Sequence, residues 1–169
     1  MKLPEVESGW HRAVVALGSN LGERDEELFR AISDLKATEG IRLVAESSVH
    51  ETVALTESGY DESAPKYLNQ VIIVDTVWAP HALLDIALAI EARHGRVRTD
   101  ERYASRTLDI DLIDYDGEPL ESDGLTLPHP RAHERAFVLA PWSEIDGEAT
   151  IPGRGKVSDL LGGLGTSNQ

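Results

Sequence analysis

The sequence predicts an α+β fold: a ferredoxin-like βαββαβ antiparallel sheet with helices packed on it, plus a C-terminal hairpin and short helices. Apolar runs and segments of helical spacing alternate in the order strand–helix–strand–strand–helix–strand, the split βαβ pattern. Gly40, Pro80 and Gly95 punctuate the predicted helix boundaries. With 169 residues, 41% of them hydrophobic, the chain suits one domain with its own core, expected to span about residues 12–152, with 1–10 and 163–169 as flexible ends.

Residues 12–17 (RAVVAL) read as a short buried strand that ends in Gly18-Ser19-Asn20-Leu21-Gly22. Asn20, with Glu23 three positions later, starts a helix. Leu28, Ile32 and Leu35 continue it at helical spacing to about residue 38, and Gly40 can end it in a left-handed conformation. The glycine turn either offers backbone N–H groups to an anion or merely turns the chain tightly.

Ile41–Val49 is the second strand, and 52–66 (TVALTESGYDESAPK) has loop composition throughout. That is long for a connection in a compact domain, which marks a functional loop or local disorder. Tyr67–Val77 follows as a strand, and its run Val71-Ile72-Ile73-Val74 suits a central position covered on both faces. Tyr67 and Asn69 share one face of it, as core polar groups or as the lining of a pocket for a flat polar ring. Pro80 opens a helix carrying Leu83, Ala87 and Ile90 toward Gly95. A strand to about Asp116, a hairpin turn at Asp116-Gly117 and a return strand near 118–127 come next. Leu127-Pro128-His129-Pro130-Arg131 breaks regular structure before a short helix with Glu134, Arg135, Phe137, Val138 and Leu139, ending before Pro141. One further helical turn is expected at Val157–Leu161.

The chemistry concentrates in residues 95–111, GRVRTDERYASRTLDID. This stretch holds Arg96, Arg98, Arg102 and Arg106, then Asp109 and Asp111 among Leu108, Ile110 and Leu112. On a strand, residues two apart project to one side, with Cα atoms about 7 Å apart. Two such carboxylates can share hard cations, and magnesium favours a few carboxylates completed by water and phosphate oxygens. Arginine forks suit phosphate. The pattern therefore points to chemistry on a nucleoside triphosphate. The bland alternative is chance, since 30 residues are acidic and short motifs recur. Burying unpaired carboxylates is costly, so the pair lies at the solvent end of the sheet or is neutralised, with metal the favoured agent.

A net charge of −14 argues against broad nucleic-acid binding. Five of the 16 basic residues nonetheless fall in 93–106, with Arg131 and Arg135 soon after. This arginine group either reverses the local field or pairs with Asp100, Glu101 and other surface acids. Cysteine is absent, which removes disulfides, thiolate nucleophiles and cysteine metal sites. No apolar run of about 18 residues and no signal-peptide pattern appear, so the expectation is a cytoplasmic protein without membrane contact.

GSNLG after the first strand, YLNQVIIV in the third, GRVR…RTLDIDLIDYDG, and LPHPRAHERAFVLAP occur in order across roughly residues 13–146. Together they resemble the 6-hydroxymethyl-7,8-dihydropterin pyrophosphokinases of folate biosynthesis. The resemblance implies transfer of diphosphate from ATP to the pterin hydroxymethyl group, releasing AMP, by an enzyme expected to be a monomer, whose partners are these two small molecules. It implies two Mg2+ ions held by Asp109 and Asp111, and Arg96 and Arg106, at the two ends of the family's mobile loop, stabilising charge around the transferred group. Arg98, His129 and Arg135 match positions that contact ATP. Tyr67 and Phe137 match the aromatic pair that sandwiches the pterin, and Thr52, Leu55 and Asn69 match residues that line its pocket or read its edge.

The chain departs from the family pattern in two places. Tyr103-Ala104-Ser105 stands where Trp-Gly-Pro is common, and Val53 stands where proline often follows the threonine. Both alter how a loop bends. A nucleotidyltransferase is the competing enzyme class, but its aspartates follow Gly-Ser closely, whereas Ser19 and Asp109 are far apart in this sequence. A non-catalytic binding relative is the other alternative, and the retained Arg96, Arg106, Asp109 and Asp111 argue against it.

Overall fold

The structure, a computed structural model, describes residues 2–19, 24–52, 54–56, 59–61, 67–94 and 108–164. In chain order the elements are β1 (His11–Ser19), α1 (Arg24–Ala37), β2 (Ile41–Glu46), β3 (His50–Thr52), β4 (Ala54–Thr56), β5 (Gly59–Asp61), β6 (Tyr67–Thr76) and α2 (Pro80–Arg93). They continue as β7 (Asp109–Tyr115), β8 (Leu120–Ser122), β9 (Leu125–Leu127), a 3-10 turn (Ala132–Glu134), α3 (Ala136–Ile145), β10 (Thr150–Ile151), β11 (Gly155–Lys156) and α4 (Val157–Leu164).

The main sheet runs β2-β6-β1-β7, with β3 also paired to β6, and every pairing in it is antiparallel. This is the predicted ferredoxin-like order. Period-two alternation divides each strand between two cores. Ala13, Val15 and Leu17 of β1, with Leu68 and Ile72 of β6 and Ile110 and Leu112 of β7, face Leu28, Ile32 and Leu35 of α1 and Leu83 and Ile90 of α2. Val14, Val71, Ile73 and Ile113 face the opposite way, toward Val138, Leu139 and Trp142 of α3 and Val157 of α4. Two-sided cover explains why β6 reads as a continuous apolar run rather than an alternating one.

Local chemistry sets the departures from expectation. The strand predicted over 41–49 breaks at Ser47, whose Oγ accepts a hydrogen bond from Val71 N (3.0 Å) while its carbonyl accepts from Gln70 Nε2 (2.7 Å). Side-chain groups thus take over part of the ladder. β2 pairs with residues 72–76 of β6, and β3 with residues 67–69. Within the segment of loop composition, β4 and β5 pair as a small hairpin. Asp116 (φ 57) and Gly117 (φ 66) make the expected left-handed turn, closed by Glu118 N to Tyr115 O (3.1 Å). The following chain folds on itself as β8 and β9 rather than back along β7. α3 runs through Pro141, which is buried in the second core together with Val138, Leu139 and Trp142. A proline inside a helix costs about 3 kcal/mol, a loss that burial of several large side chains at about 1.5–3 kcal/mol each can offset. The tail holds the β10–β11 pair and two turns of α4. At the other end, Leu3 packs against the second core.

Away from the β1 end that carries Gly18, charged groups fasten the strands. Arg12 on β1 donates to both oxygens of its cross-strand partner Asp75 on β6, at 2.9 and 3.1 Å. A register shift between Val14 and Val15 lets β7 place both Ile113 and Asp114 near Val14. Asp114 is only 7% exposed, and one of its oxygens accepts from Gly117 N at 2.9 Å. Burial, reinforced by the charge of Asp116 and opposed by the Gly117 bond, pushes the Asp114 carboxyl up from 3.8 to about 6.

The native state therefore keeps this proton over a range where the unfolded chain has released it. Its contribution to stability should fall as pH rises from about 4 to about 6 and stay level above that. Asp114→Asn is expected to remove this fall and to stabilise the protein at pH 7 by up to about 3 kcal/mol. Urea unfolding of both proteins from pH 4 to 8 checks it, and an unchanged pH slope in the variant would refute it.

Candidate active site

The antiparallel registers assemble the site. Gly18 of β1 lies opposite Asn69 of β6 and opposite Asp109 of β7. One step along the same face, Ala16 lies opposite Val71 and Asp111. The central strand thus gives its smallest residues to the face on which β7 presents both aspartates. Those small residues leave a floor, and a cavity of about 170 Å³ opens above it. Thr52, Tyr67 and Asn69 form one wall, Asp109 and Asp111 another, and Arg135, Phe137 and Val138 lean in from the start of α3.

Gly18 matters through its missing side chain. A Cβ there would come within 3.3 Å of Asn69 Oδ1 and 4.0 Å of the Tyr67 ring. Asn69, 7% exposed, donates its amide N–H to Thr52 Oγ1 at 2.6 Å, which fixes the amide's orientation across the β3–β6 pair. Its remaining donor and acceptor capacity is left for the cavity. Phe137 is half-buried, with the Arg135 guanidinium carbon 5.5 Å from its ring centre, a cation–π arrangement that holds the two side chains together. Arg135 Nε and, at the end of β1, Ser19 Oγ are buried polar atoms without a hydrogen-bond partner among the described residues. Such atoms are rare in native proteins; of the two, only Arg135 belongs to a residue that lines the cavity.

Asp109 is half-buried and Asp111 exposed. The pair therefore sits at the open end of the sheet, and burial itself does not demand a neutralising ion. Among the described residues no third histidine, cysteine or acidic side chain joins them to complete a metal-binding group. Two carboxylates on one face, with other positions left to water and phosphate oxygens, nevertheless fit the donor set that magnesium takes beside a polyphosphate.

His129 stands around the corner, in a groove that it shares with Asp111. Its backbone N–H donates to Ile113 O of β7 at 2.8 Å, and its Nδ1 accepts from Arg131 N at 3.2 Å. Burial lowers its pKa, Asp111 works in the opposite direction, and Arg135 and Arg131 lower it further. The imidazole is thereby kept neutral near pH 7, and with Nδ1 accepting, Nε2 carries the proton and can donate.

Seven of the residues singled out in the sequence therefore meet at one cavity: Thr52, Tyr67, Asn69, Asp109, Asp111, Arg135 and Phe137. His129 borders it. Leu55 lies in β4 opposite Tyr60. Arg96, Arg98 and Arg106 fall outside the described residues.

Sequence reading passed over Glu91. It is 3% exposed on α2, and its Oε2 accepts a hydrogen bond from Ile110 N at 2.6 Å, between the two aspartates. Among the described residues β7 is an edge strand, so the outward N–H of Ile110 meets no neighbouring strand there, and Glu91 supplies an acceptor. A signal was present, because Glu91 follows Ala87 by four on the apolar face of its helix.

The family model described as 7,8-dihydro-6-hydroxymethylpterin-pyrophosphokinase (HPPK) matches residues 14–147. The chain is 41% identical over 142 residues to the 2-amino-4-hydroxy-6-hydroxymethyldihydropteridine pyrophosphokinase of Methylorubrum extorquens, covering 84% of this chain and 87% of that one. It is 38% identical over 133 residues to the enzyme of that name from Bacillus subtilis, covering 79% and 77%. Among solved structures, Plasmodium falciparum HPPK-DHPS A437G with SDX-DHP superposes with a TM-score of 0.72 at 13% identity, covering 95% of this chain and 46% of that longer one. The fold, the matched motifs and these relatives agree: the chain belongs to the 7,8-dihydro-6-hydroxymethylpterin-pyrophosphokinase family.

Proposed function

We propose that this cleft transfers the terminal diphosphate of ATP to the hydroxymethyl oxygen of 6-hydroxymethyl-7,8-dihydropterin, releasing AMP, as a step of folate biosynthesis. Family membership makes the chain a pyrophosphokinase. The observation that carries the reading of the site is the meeting of an aromatic and amide wall with two carboxylates and an arginine around one cavity.

In this reading the pterin ring lies between Tyr67 and Phe137, since its faces are apolar and stack on aromatic rings. Asn69, held by Thr52, reads its edge, and the family resemblance assigns Leu55 to the same pocket. The alcohol oxygen attacks the β-phosphorus, the bond from that phosphorus to the oxygen of the α-phosphate breaks, and AMP leaves with that oxygen. The hydroxyl proton is released to solvent as the new O–P bond forms, which balances the step without a side-chain acceptor. Arg135 and the protonated Nε2 of His129 face ATP oxygens, with Arg98 joining them. Arg96 and Arg106 answer the charge that spreads over the transferred group. Such a transfer is catalysed by positioning and charge stabilisation rather than by a covalent intermediate.

Asp109 and Asp111 would hold two magnesium ions. These ions, when bound, supply neutralisation of the phosphate oxygens.

The direct test is AMP release from ATP with magnesium and the pterin alcohol, against a control without pterin. Pterin-dependent AMP is expected, and ADP as the product would overturn the reaction type. Asp109→Ala and Asp111→Ala are each expected to lower turnover by about 100-fold or more, most severely at limiting magnesium. Unchanged turnover in folded Asp109→Ala would sink the metal assignment.

Glu91 yields a second prediction. Glu91→Leu leaves the Ile110 N–H buried and unpaired, a loss of about 1–3 kcal/mol, and lets the aspartates shift, so kcat should fall at least tenfold. Glu91→Gln keeps an acceptor and should recover much of both. Equal rates for the leucine and glutamine variants would argue against a role in orientation. At Gly18, valine should raise the pterin KM through Asn69 while leaving ATP affinity nearly unchanged, as separate titrations of the two substrates would show.

A further inference from the structure

Glu144 makes contacts that neither the reaction nor the core accounts for. It sits in the last turn of α3, which contains no basic residue, so its charge opposes the helix dipole there. Something must compensate that placement. Its Oε1 accepts from Ser48 N at 2.9 Å, and its Oε2 accepts from Ser48 Oγ at 3.0 Å and meets His50 Nε2 at 2.8 Å. One carboxylate thus gathers a backbone N–H, a hydroxyl and an imidazole from a single three-residue segment. Together with its hydrogen bond to His50, these contacts hold the Glu144 carboxyl below the usual glutamate range.

The segment it grips leads into the site. His50 begins β3 and lies opposite Asn69, while Thr52 ends it opposite Tyr67. Residues 50 and 52 share a face, so a constraint on His50 is a constraint on Thr52 two positions away. β3 has only three residues, and among the described residues its one ladder partner is β6. A strand that short is marginal without further attachment. α3, by contrast, is fixed in the second core through Val138, Leu139 and Trp142. Phe137 stands at the start of the same helix that carries Glu144 near its end.

We propose that Glu144 is a positioning residue for the pterin side of the cleft: through Ser48 and His50 it ties β3 to α3 and sets the spacing between Thr52–Asn69 and Phe137. The inference rests on the pterin reading of that pocket. Glu144 touches neither substrate. The ATP side, built on β7 and the Arg135 turn, does not depend on this tie.

The test measures the pterin Kd in the presence of a saturating non-hydrolysable ATP analogue, and the analogue's own Kd, for the unaltered chain and for Glu144→Ala, Glu144→Gln and Ser48→Ala/His50→Phe. Glu144→Ala and the double variant should each weaken pterin binding about tenfold, with analogue binding changed less than twofold. Glu144→Gln, which keeps one acceptor, should fall between. Steady-state kinetics should show the same split, with the pterin KM raised and kcat little altered. Pterin affinity within twofold of the unaltered chain in a folded variant overturns the proposal. So does an equal loss of affinity for both ligands, which would mean general loosening. Should Glu144→Ala fail to fold, the double variant decides. Failure of the unaltered chain to bind pterin would instead refute the reading of the pocket, a separate and distinguishable result.

Discussion

With Gly18 opposite Asn69 on one flank and Asp109 on the other, three strands must hold a single register for the site to exist. Slipping either ladder by one residue would turn that strand's side chains to the other face, sending Asn69 or both aspartates into the α1–α2 core. The core resists this, because the same slip would withdraw Leu68, Ile72, Ile110 and Leu112 from their packing against α1 and α2. Site and core are therefore specified by one pattern read on its two faces. The Arg12–Asp75 pair, directly cross-strand, adds a charged pin to the β1–β6 register.

Electrostatics divides the cleft. The chain carries −14 overall, and the two aspartates add negative charge to the wall of the cavity. Arg135 lines the same cavity, and Arg131 lies next to His129; both arginines oppose protonation of that imidazole. In the proposed reading, a polyanionic substrate would meet arginine from the α3 side and need cations from elsewhere on the β7 side. The split explains why a pair of carboxylates can be useful in a site for an anion.

Much of this was legible in the sequence, for identifiable reasons. Strands with two covered faces show as unbroken apolar runs, helices show their spacing, and Asp109 and Asp111 interrupt an apolar strand two residues apart. Contacts between distant segments left weaker traces. Ser47 acts as a surrogate strand partner only because Val71 arrives beside it. Glu91 gains its meaning from the unpaired edge of β7, and Gly18 from the Asn69 amide next to it. Pro141 was read as a helix stop from local propensity, and burial against the sheet overrode that preference. The β4–β5 pair lay hidden because its residues have loop composition.

The floor of the cavity is made of Gly18 and Ala16, little more than backbone and one methyl group. Every substitution at Gly18, and nearly every one at Ala16, adds volume to a space of about 170 Å³. Variation at these two positions is therefore one-directional: it can shrink the site and hardly enlarge it. A compound that fills the cavity down to this floor could be excluded only by changes that also crowd the natural occupant. Mutational escape would have to come from the walls, where Thr52, Phe137 and Val138 can be trimmed as well as extended.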